Sequence, residues 1–146
     1  VIPPLTPEEY SSMWARSQWP ESLDPREHTR RSVYLYVKRT FPLPMLQTFD
    51  APDTSASCAR RDSTTVAPQA LTLMNSAFML EQARRLAARL EQDNAPVDRL
   101  WQIAYGHEPS DAERDGARRF LDAGGPDALA RLCLVTFNSN EFLYVD

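Results

Sequence analysis

The chain has 146 residues, a net charge of −4 and a sequence pI of about 5.2, a size that fits one ordinary domain with a buried core. The acidic balance argues against a nucleic-acid partner, since such proteins usually carry a basic face. No apolar run approaches the roughly 18 residues that a membrane span needs. Two cysteines are too few for a disulfide framework or a zinc site, and the two histidines lack a metal-ligand spacing. We therefore expect no metal and no cofactor in this chain.

The start of the chain suggests a piece of a longer protein. The sequence opens Val1-Ile2-Pro3-Pro4, with no initiator Met and no signal peptide. We interpret residues 1–146 as a single domain that forms the C-terminal part of a larger protein. Its composition changes near Pro68, which predicts an irregular, Pro-rich N-terminal layer over residues 1–66 and a helical bundle over residues 67–146.

The N-terminal layer contains two candidate elements. Thr6-Pro7-Glu8-Glu9 is typical of a helix start, and the helix is predicted to end before Trp19-Pro20. Residues 20–28 read as a loop. Between Arg31 and Arg39, branched and aromatic residues alternate with a period of two, which predicts a short strand. That strand needs a partner, either outside the chain or in residues 44–50, because its backbone groups must be paired.

The second part reads as consecutive amphipathic helices. A short helix starts at Ala67, and the next runs to Leu90. The third begins at Pro96 and ends near Gly106, and Ser110 opens the fourth with a capping box. The last begins at Pro126. Residues predicted to face the core include Phe78, Leu80, Ala83, Leu86, Ala87, Leu90, Val97, Leu100, Trp101, Ala104, Tyr105, Ala117, Phe120, Leu121, Leu129, Leu132, Cys133, Val135, Thr136 and Phe137. The fold class is mainly α, a bundle of about four to five helices with one short strand or hairpin.

Three stretches carry a family resemblance. They are residues 30–37, residues 49–53 together with 60–76, and residues 138–146. Together they resemble a planctomycete-specific domain of unknown function that ends long bacterial proteins. The resemblance covers most of the chain from Arg30 onward, and the long middle motif is its most specific part. That family has no assigned activity to transfer.

The resemblance implies a cellular context. Family members often carry a planctomycete-type cytochrome c domain and a second uncharacterised domain upstream, and some carry carbohydrate-binding modules. This implies export to the periplasm or the extracellular space, haem bound upstream in the parent protein, and a link to polysaccharide breakdown. The chain itself lacks the Cys-x-x-Cys-His motif of covalent haem attachment.

One irregular segment holds most of the candidate functional residues. Carboxylates, guanidinium groups and amides gather there, and loops held on a helical scaffold commonly carry binding and catalytic groups. Paired carboxylates could supply the acid and base of glycoside hydrolysis, and arginine with amides could grip a sugar or a carboxylate. The alternative, which we favour, is structural: these side chains satisfy the backbone of an irregular segment, with Arg31 or Arg61 paired to Asp50. The candidate binding or structural cluster is Arg31, Asp50, Asp53, Arg60, Arg61, Asp62, Gln69 and Asn75.

Aromatic residues form the second candidate site. Trp14, Trp19, Tyr34 and Tyr36 could stack on sugars, although at helix or strand spacing they are more typical of a core. Trp101 is assigned to the core. The apolar tail from Phe142 to Tyr144 is expected to pack back on its own bundle. Cys133, within an apolar run, is expected to be a buried thiol, and whether it pairs with Cys58 is left open.

The leading interpretation is therefore a structural or interaction module that packs against the upstream domains of its parent protein. The alternatives are part of a carbohydrate-active site completed by an upstream domain, or a glycan-binding module with polysaccharide as its partner. Whether the domain is an enzyme is left open by the sequence.

Overall fold

The computed structural model describes residues 2–5, 7, 11, 19–38, 43–52 and 67–144. The chain divides into two compact units. The first comprises residues 1–47 and 51–61, and the second comprises residues 48–50 and 62–146. The organisation expected from the sequence, an irregular layer over residues 1–66 and a bundle over 67–146 within one domain, stays a prediction.

Trp19 organises the first unit. Its side chain is only 2% exposed, and its indole N–H donates a hydrogen bond to the carbonyl of Pro3 at 2.7 Å. Ser22 joins the same two stretches of chain, since its backbone N–H donates to Ile2 O and its hydroxyl accepts from Ile2 N. The ring of Tyr36 meets Trp19 edge-on, at 6.1 Å between centroids. A buried indole with its polar atom satisfied thus fixes the N-terminal stretch against residues 19–22.

The strand predicted over residues 31–39 is wrong for most of its described residues, among which Lys38 alone takes part in a β-bridge. Ser32–Tyr34 is a 3-10 helix, preceded by another at Glu27–Thr29, and Leu35 then returns to an extended conformation. A strand without a partner leaves its backbone unpaired, whereas the 3-10 turn satisfies two donors locally: Tyr34 N bonds Arg31 O and Leu35 N bonds Ser32 O. Of the predicted first helix, the structure describes only Pro7 and Ser11, and both are helical.

The remaining described elements are α-helices. Their bounds are α1 Pro44–Thr48, α2 Ala67–Asn75, α3 Ala77–Leu90, α4 Pro96–Ala104, α5 Asp111–Gly124, α6 Ala128–Phe137 and α7 Asn140–Leu143. Helix α1 lies within residues 44–50, the range suggested by the sequence as a strand partner. Its proline stands at the first helical position, where the missing N–H costs nothing. The protein is thus mainly helical, as predicted.

Helix α6 lies at the centre of the second unit. It packs along α3 and α5 and also contacts α2, α4 and α7. Leu90, Leu100 and Cys133 are fully buried where these helices meet. The core cluster consists of Ala83, Leu86, Ala87, Leu90, Val97, Leu100, Trp101, Ala117, Leu132 and Cys133. Burial of such residues at helical spacing is what makes short helices stable.

Three residues predicted to be buried are substantially exposed. Phe78, Phe120 and Val135 keep 41%, 37% and 58% of their surface in contact with solvent. Successive helical residues are about 100° apart, so the buried residues Leu132, Cys133 and Thr136 share one side of α6, and Val135 lies roughly 100° from the middle of that side.

Two helix boundaries carry the capping residues that the sequence predicts. Ser110 and Glu113 form a reciprocal capping box at the start of α5. Gly106, at φ 81°, follows α4 in the left-handed conformation that favours glycine. Near the end of α5, Gly124 leaves no room for a side chain, since an added Cβ would lie 2.7 Å from the Cβ of Ala128.

Across the described ranges, no helix combines the length and the apolar character needed to cross a bilayer.

Candidate functional site

Gln69 is the member of the predicted cluster whose role is clearest. It lies in the first turns of α2, is only 9% exposed, and donates from Nε2 to the backbone carbonyl of Thr48 at 3.0 Å. Thr48 is the last residue of α1, where carbonyl groups have no partner inside the helix. The amide therefore joins residues 48–50 to α2 by donating a hydrogen bond to the end of α1.

Asp50 occupies a special backbone position. Its φ of 56° makes it the one described non-glycine residue with a left-handed backbone. Ala51 N donates to Leu46 O at 2.9 Å, which is the closing bond of a Schellman motif with Asp50 at the position usually held by glycine. Aspartate tolerates this conformation better than most residues. Asp50 thus ends helix α1. Its backbone conformation gives aspartate a structural reason to be at this position, besides any catalytic role of its carboxylate.

Two other members of the cluster, Asn75 and Arg31, are among the described residues. Asn75 is exposed at the end of α2 and donates from Nδ2 to Leu71 O, one turn back in its own helix. Arg31 is exposed in the first unit, just before a 3-10 helix. Four candidates lie outside the described residues: Asp53, Arg60, Arg61 and Asp62. The proposed pair between Arg61 and Asp50 therefore stays a prediction.

The tryptophans that the structure describes are buried. Trp19 is enclosed in the first unit and Trp101 in the core of the second, so neither presents a face for sugar stacking. Trp14 lies outside the described residues. Tyr34 and Tyr36 are exposed, and the guanidinium of Arg30 lies 5.7 Å from the centre of the Tyr34 ring, within the range of a cation–π interaction.

An apolar surface segment accompanies these tyrosines. Val33 and Val37 are 76% and 57% exposed, and with Tyr34 and Tyr36 they form what we call the Val33–Val37 segment. Exposed apolar side chains that adjoin one another in a patch of more than roughly a few hundred Å² commonly mark a contact with another protein.

The sequence did not reveal a polar network that joins α4 to α7. Tyr105 OH and Ser139 Oγ lie 2.9 Å apart, and the Tyr105 ring stacks on His107 at 5.9 Å between centroids. His107 Nε2 bonds the carboxylate of Glu141, and its Nδ1 lies 2.8 Å from the carbonyl of Glu108. The Glu108 carbonyl first, and then the Glu141 carboxylate, raise the pKa of His107 above its ordinary value.

Two further ionisable groups have structural causes for their shifts. The pKa of Glu113 is lowered by its bonds to the hydroxyl and backbone N–H of Ser110. The indole N–H of Trp101 contributes less, and it makes no hydrogen bond of normal geometry. The pKa of Arg114 is raised, mainly by its 2.7 Å bond to Asp98. Glu113 thus stabilises the first turn of α5, and Arg114 joins the start of α5 to α4.

Cys133 is inert by position. Its thiol is free and fully buried, and burial raises its pKa to about 11, which keeps it protonated at neutral pH. Its burial agrees with the sequence-based expectation. Cys58 lies outside the described residues.

Comparison with known proteins gives one family. A family model described as PSD1, protein of unknown function (DUF1553), matches residues 3–121. The chain belongs to this family. No curated protein and no solved structure matches it.

The DUF1553 match covers the first unit from residue 3 onward and helices α1 to α4, and it ends within α5 at Leu121. It therefore includes residues 3–29, which lie before the stretches that carry the sequence resemblance, and it does not include the C-terminal stretch 138–146. Within the described residues, no three side chains of His, Cys, Asp or Glu come close enough together to hold a metal ion.

Proposed function

We propose that this DUF1553 domain is a structural and interaction module of a larger, exported, cytochrome-c-containing protein of the periplasm or extracellular space, and that it packs against the upstream domains of that protein. The observation that carries the proposal is the exposed Val33–Val37 segment. The family resemblance supplies the partner, since related chains follow other domains in long proteins.

The candidate loop residues support the same proposal from a second direction. Gln69 uses its amide on Thr48, and Asn75 uses its amide on its own helix. Asp50 stands where the backbone must turn left-handed at the end of α1. Side chains that complete local backbone structure in this way are what the structural interpretation of the segment requires.

The test is binding between this domain and the upstream region of its parent, produced as a separate protein. Val33→Ser with Val37→Ser should weaken binding by tenfold or more, because both remove apolar area from the proposed contact without touching the buried Trp19. Leu23→Ser is the matched control, since Leu23 is also apolar and is 99% exposed but lies outside the segment. Binding that is absent, or equally affected by both variants, would contradict the proposal.

Two further experiments distinguish the interaction module from the two carbohydrate alternatives. Oligosaccharides that bind the isolated domain and protect Tyr34 or Tyr36 from surface oxidation would favour a sugar-binding surface over a protein contact. A contribution to a carbohydrate-active site would require hydrolysis that appears only when the upstream region is present and is lost in Asp50→Asn. The interaction module that we propose should show neither result.

A further inference from the structure

His107 has an unusual arrangement of partners for a surface histidine. Both of its ring nitrogens face oxygen acceptors: Nδ1 lies 2.8 Å from the carbonyl of Glu108, and Nε2 lies 2.5 Å from the carboxylate of Glu141. Neither oxygen can donate a hydrogen bond. A neutral imidazole carries one N–H and can serve one of these acceptors, whereas the imidazolium ion serves both.

The charges around the ring favour the same protonated form. Besides Glu141 on α7, the carboxylate of Glu113 on α5 also acts on His107. From α4, the neighbouring group is Tyr105, whose ring stacks on the imidazole. The charges that act on the His107 ring from the described residues are all those of carboxylates.

Helix α7 is short and depends on this corner of the protein. It has four residues, too few to be stable by hydrogen bonding alone. It is fixed by the Ser139 cap, by the contact of Phe142 with Phe137, by the hydrogen bond between Tyr105 and Ser139, and by the hydrogen bond that Glu141 accepts from His107. Of these, the bond to His107 is the one whose strength depends on a proton that titrates near neutral pH.

We propose that His107 is a proton-dependent latch: when protonated it holds helix α7 against the end of α4, and when it loses its proton the helix loosens. The latch is independent of the proposed interaction role. Because the attached state raises the pKa of His107, attachment is fully favoured below the ordinary histidine value of about 6.5. This contribution is lost as pH rises through the raised value.

Two measurements on the 146-residue chain must agree if the latch exists. The first is the pKa of His107 from NMR titration of its ring, assigned with His107→Gln. The second is the amide protection of Leu143 and Tyr144, whose N–H groups bond Ser139 O and Asn140 O, normalised to the intrinsic exchange rates at each pH. Protection should fall by a certain factor as pH rises through the His107 transition. Linkage requires this factor to equal the acid constant of His107 with α7 detached divided by its acid constant with α7 attached.

Glu141→Gln and Glu108→Gln form a matched pair. Both remove one carboxylate, but only Glu141 contacts the His107 ring through its side chain, since Glu108 contributes its backbone carbonyl. Glu141→Gln should lower the pKa of His107 and reduce the pH dependence of α7 protection, and Glu108→Gln should leave both close to those of the parent.

Three results would overturn the latch. One is a pKa of His107 at or below about 6.5 in the parent chain. Another is an equal response to the two substitutions. The third is amide protection in α7 that does not change while the His107 ring titrates. The first and third use only the unsubstituted chain, so a variant that failed to fold would not prevent the test.

Discussion

Replacing Gln69 by leucine tests whether this residue of the predicted site is structural. The change keeps a similar volume but removes the N–H group that reaches Thr48 O at 3.0 Å. The part-buried Thr48 carbonyl then loses the hydrogen bond from Gln69, which costs up to about 1–3 kcal/mol. Because leucine gains some apolar burial, we expect a net loss of about 1–2 kcal/mol in the free energy of unfolding.

The assay is urea unfolding at neutral pH, followed by circular dichroism. With a denaturant slope of about 2 kcal/mol per molar, the midpoint should fall by roughly 0.5–1 M. The matched control is Gln102→Leu on α4, where the amide is exposed and only meets Arg99 at 3.3 Å. We expect that control to change stability by less than about 0.5 kcal/mol.

A second substitution adds a pH signature. In Gln69→Glu, the introduced carboxyl can donate to the Thr48 carbonyl only when protonated, so its pKa in the folded state should exceed the ordinary value of about 4.3. The variant should therefore approach the parent in stability at acid pH and lose stability as pH rises through the raised pKa.

Unchanged stability of Gln69→Leu would refute this reasoning. Since a buried amide that does not support the fold needs another explanation, the active-site interpretation of the loop would then regain its main support.

The other predictions concern backbone, core and thiol. Asp50→Gly should be more stable than Asp50→Ala by about 0.5–1 kcal/mol, because both lack the carboxylate and only alanine is strained at φ 56°; thermal unfolding of the two variants measures this directly. Leu100→Ala removes a side chain with 0% exposure and should cost about 2–5 kcal/mol in urea unfolding. Gly124→Ala should lower the melting temperature, because its Cβ would lie 2.7 Å from that of Ala128. Cys133, with its pKa raised to about 11, should react with a thiol reagent only at the rate of global unfolding. The measurement is the rate of this reaction at neutral pH in increasing concentrations of urea.

Local signals predicted most of the second unit correctly. The Ser110 capping box, the left-handed Gly106 and the buried stripe of α3 all follow from residues within one or two turns of each other. Such features depend on spacing along the chain, and spacing is visible in a sequence. The misplaced residues, such as Val135, show the limit: an apolar residue in an apolar helix gives no sign of which side will meet a neighbour.

Long-range polar contacts could not be predicted in the same way. Gln69 and Thr48 are 21 residues apart, and His107 and Glu141 are 34 apart. Nothing in their immediate neighbours selects these partners, because the choice is made by how α2, α4 and α7 pack. The predicted strand failed for the opposite reason. The period-two pattern was a real local signal, but a strand also needs a partner, and the 3-10 turn at Ser32–Tyr34 satisfies its own donors.

Packing and family similarity mark different boundaries in this chain. The DUF1553 match ends at Leu121, inside α5, yet Leu132 and Cys133 of α6 belong to the same core as Leu90 and Leu100. A core helix cannot be removed without leaving the facing side chains exposed or a cavity in their place. The second unit must therefore extend through α6, and a truncation of the chain at the end of the matched span would divide its core.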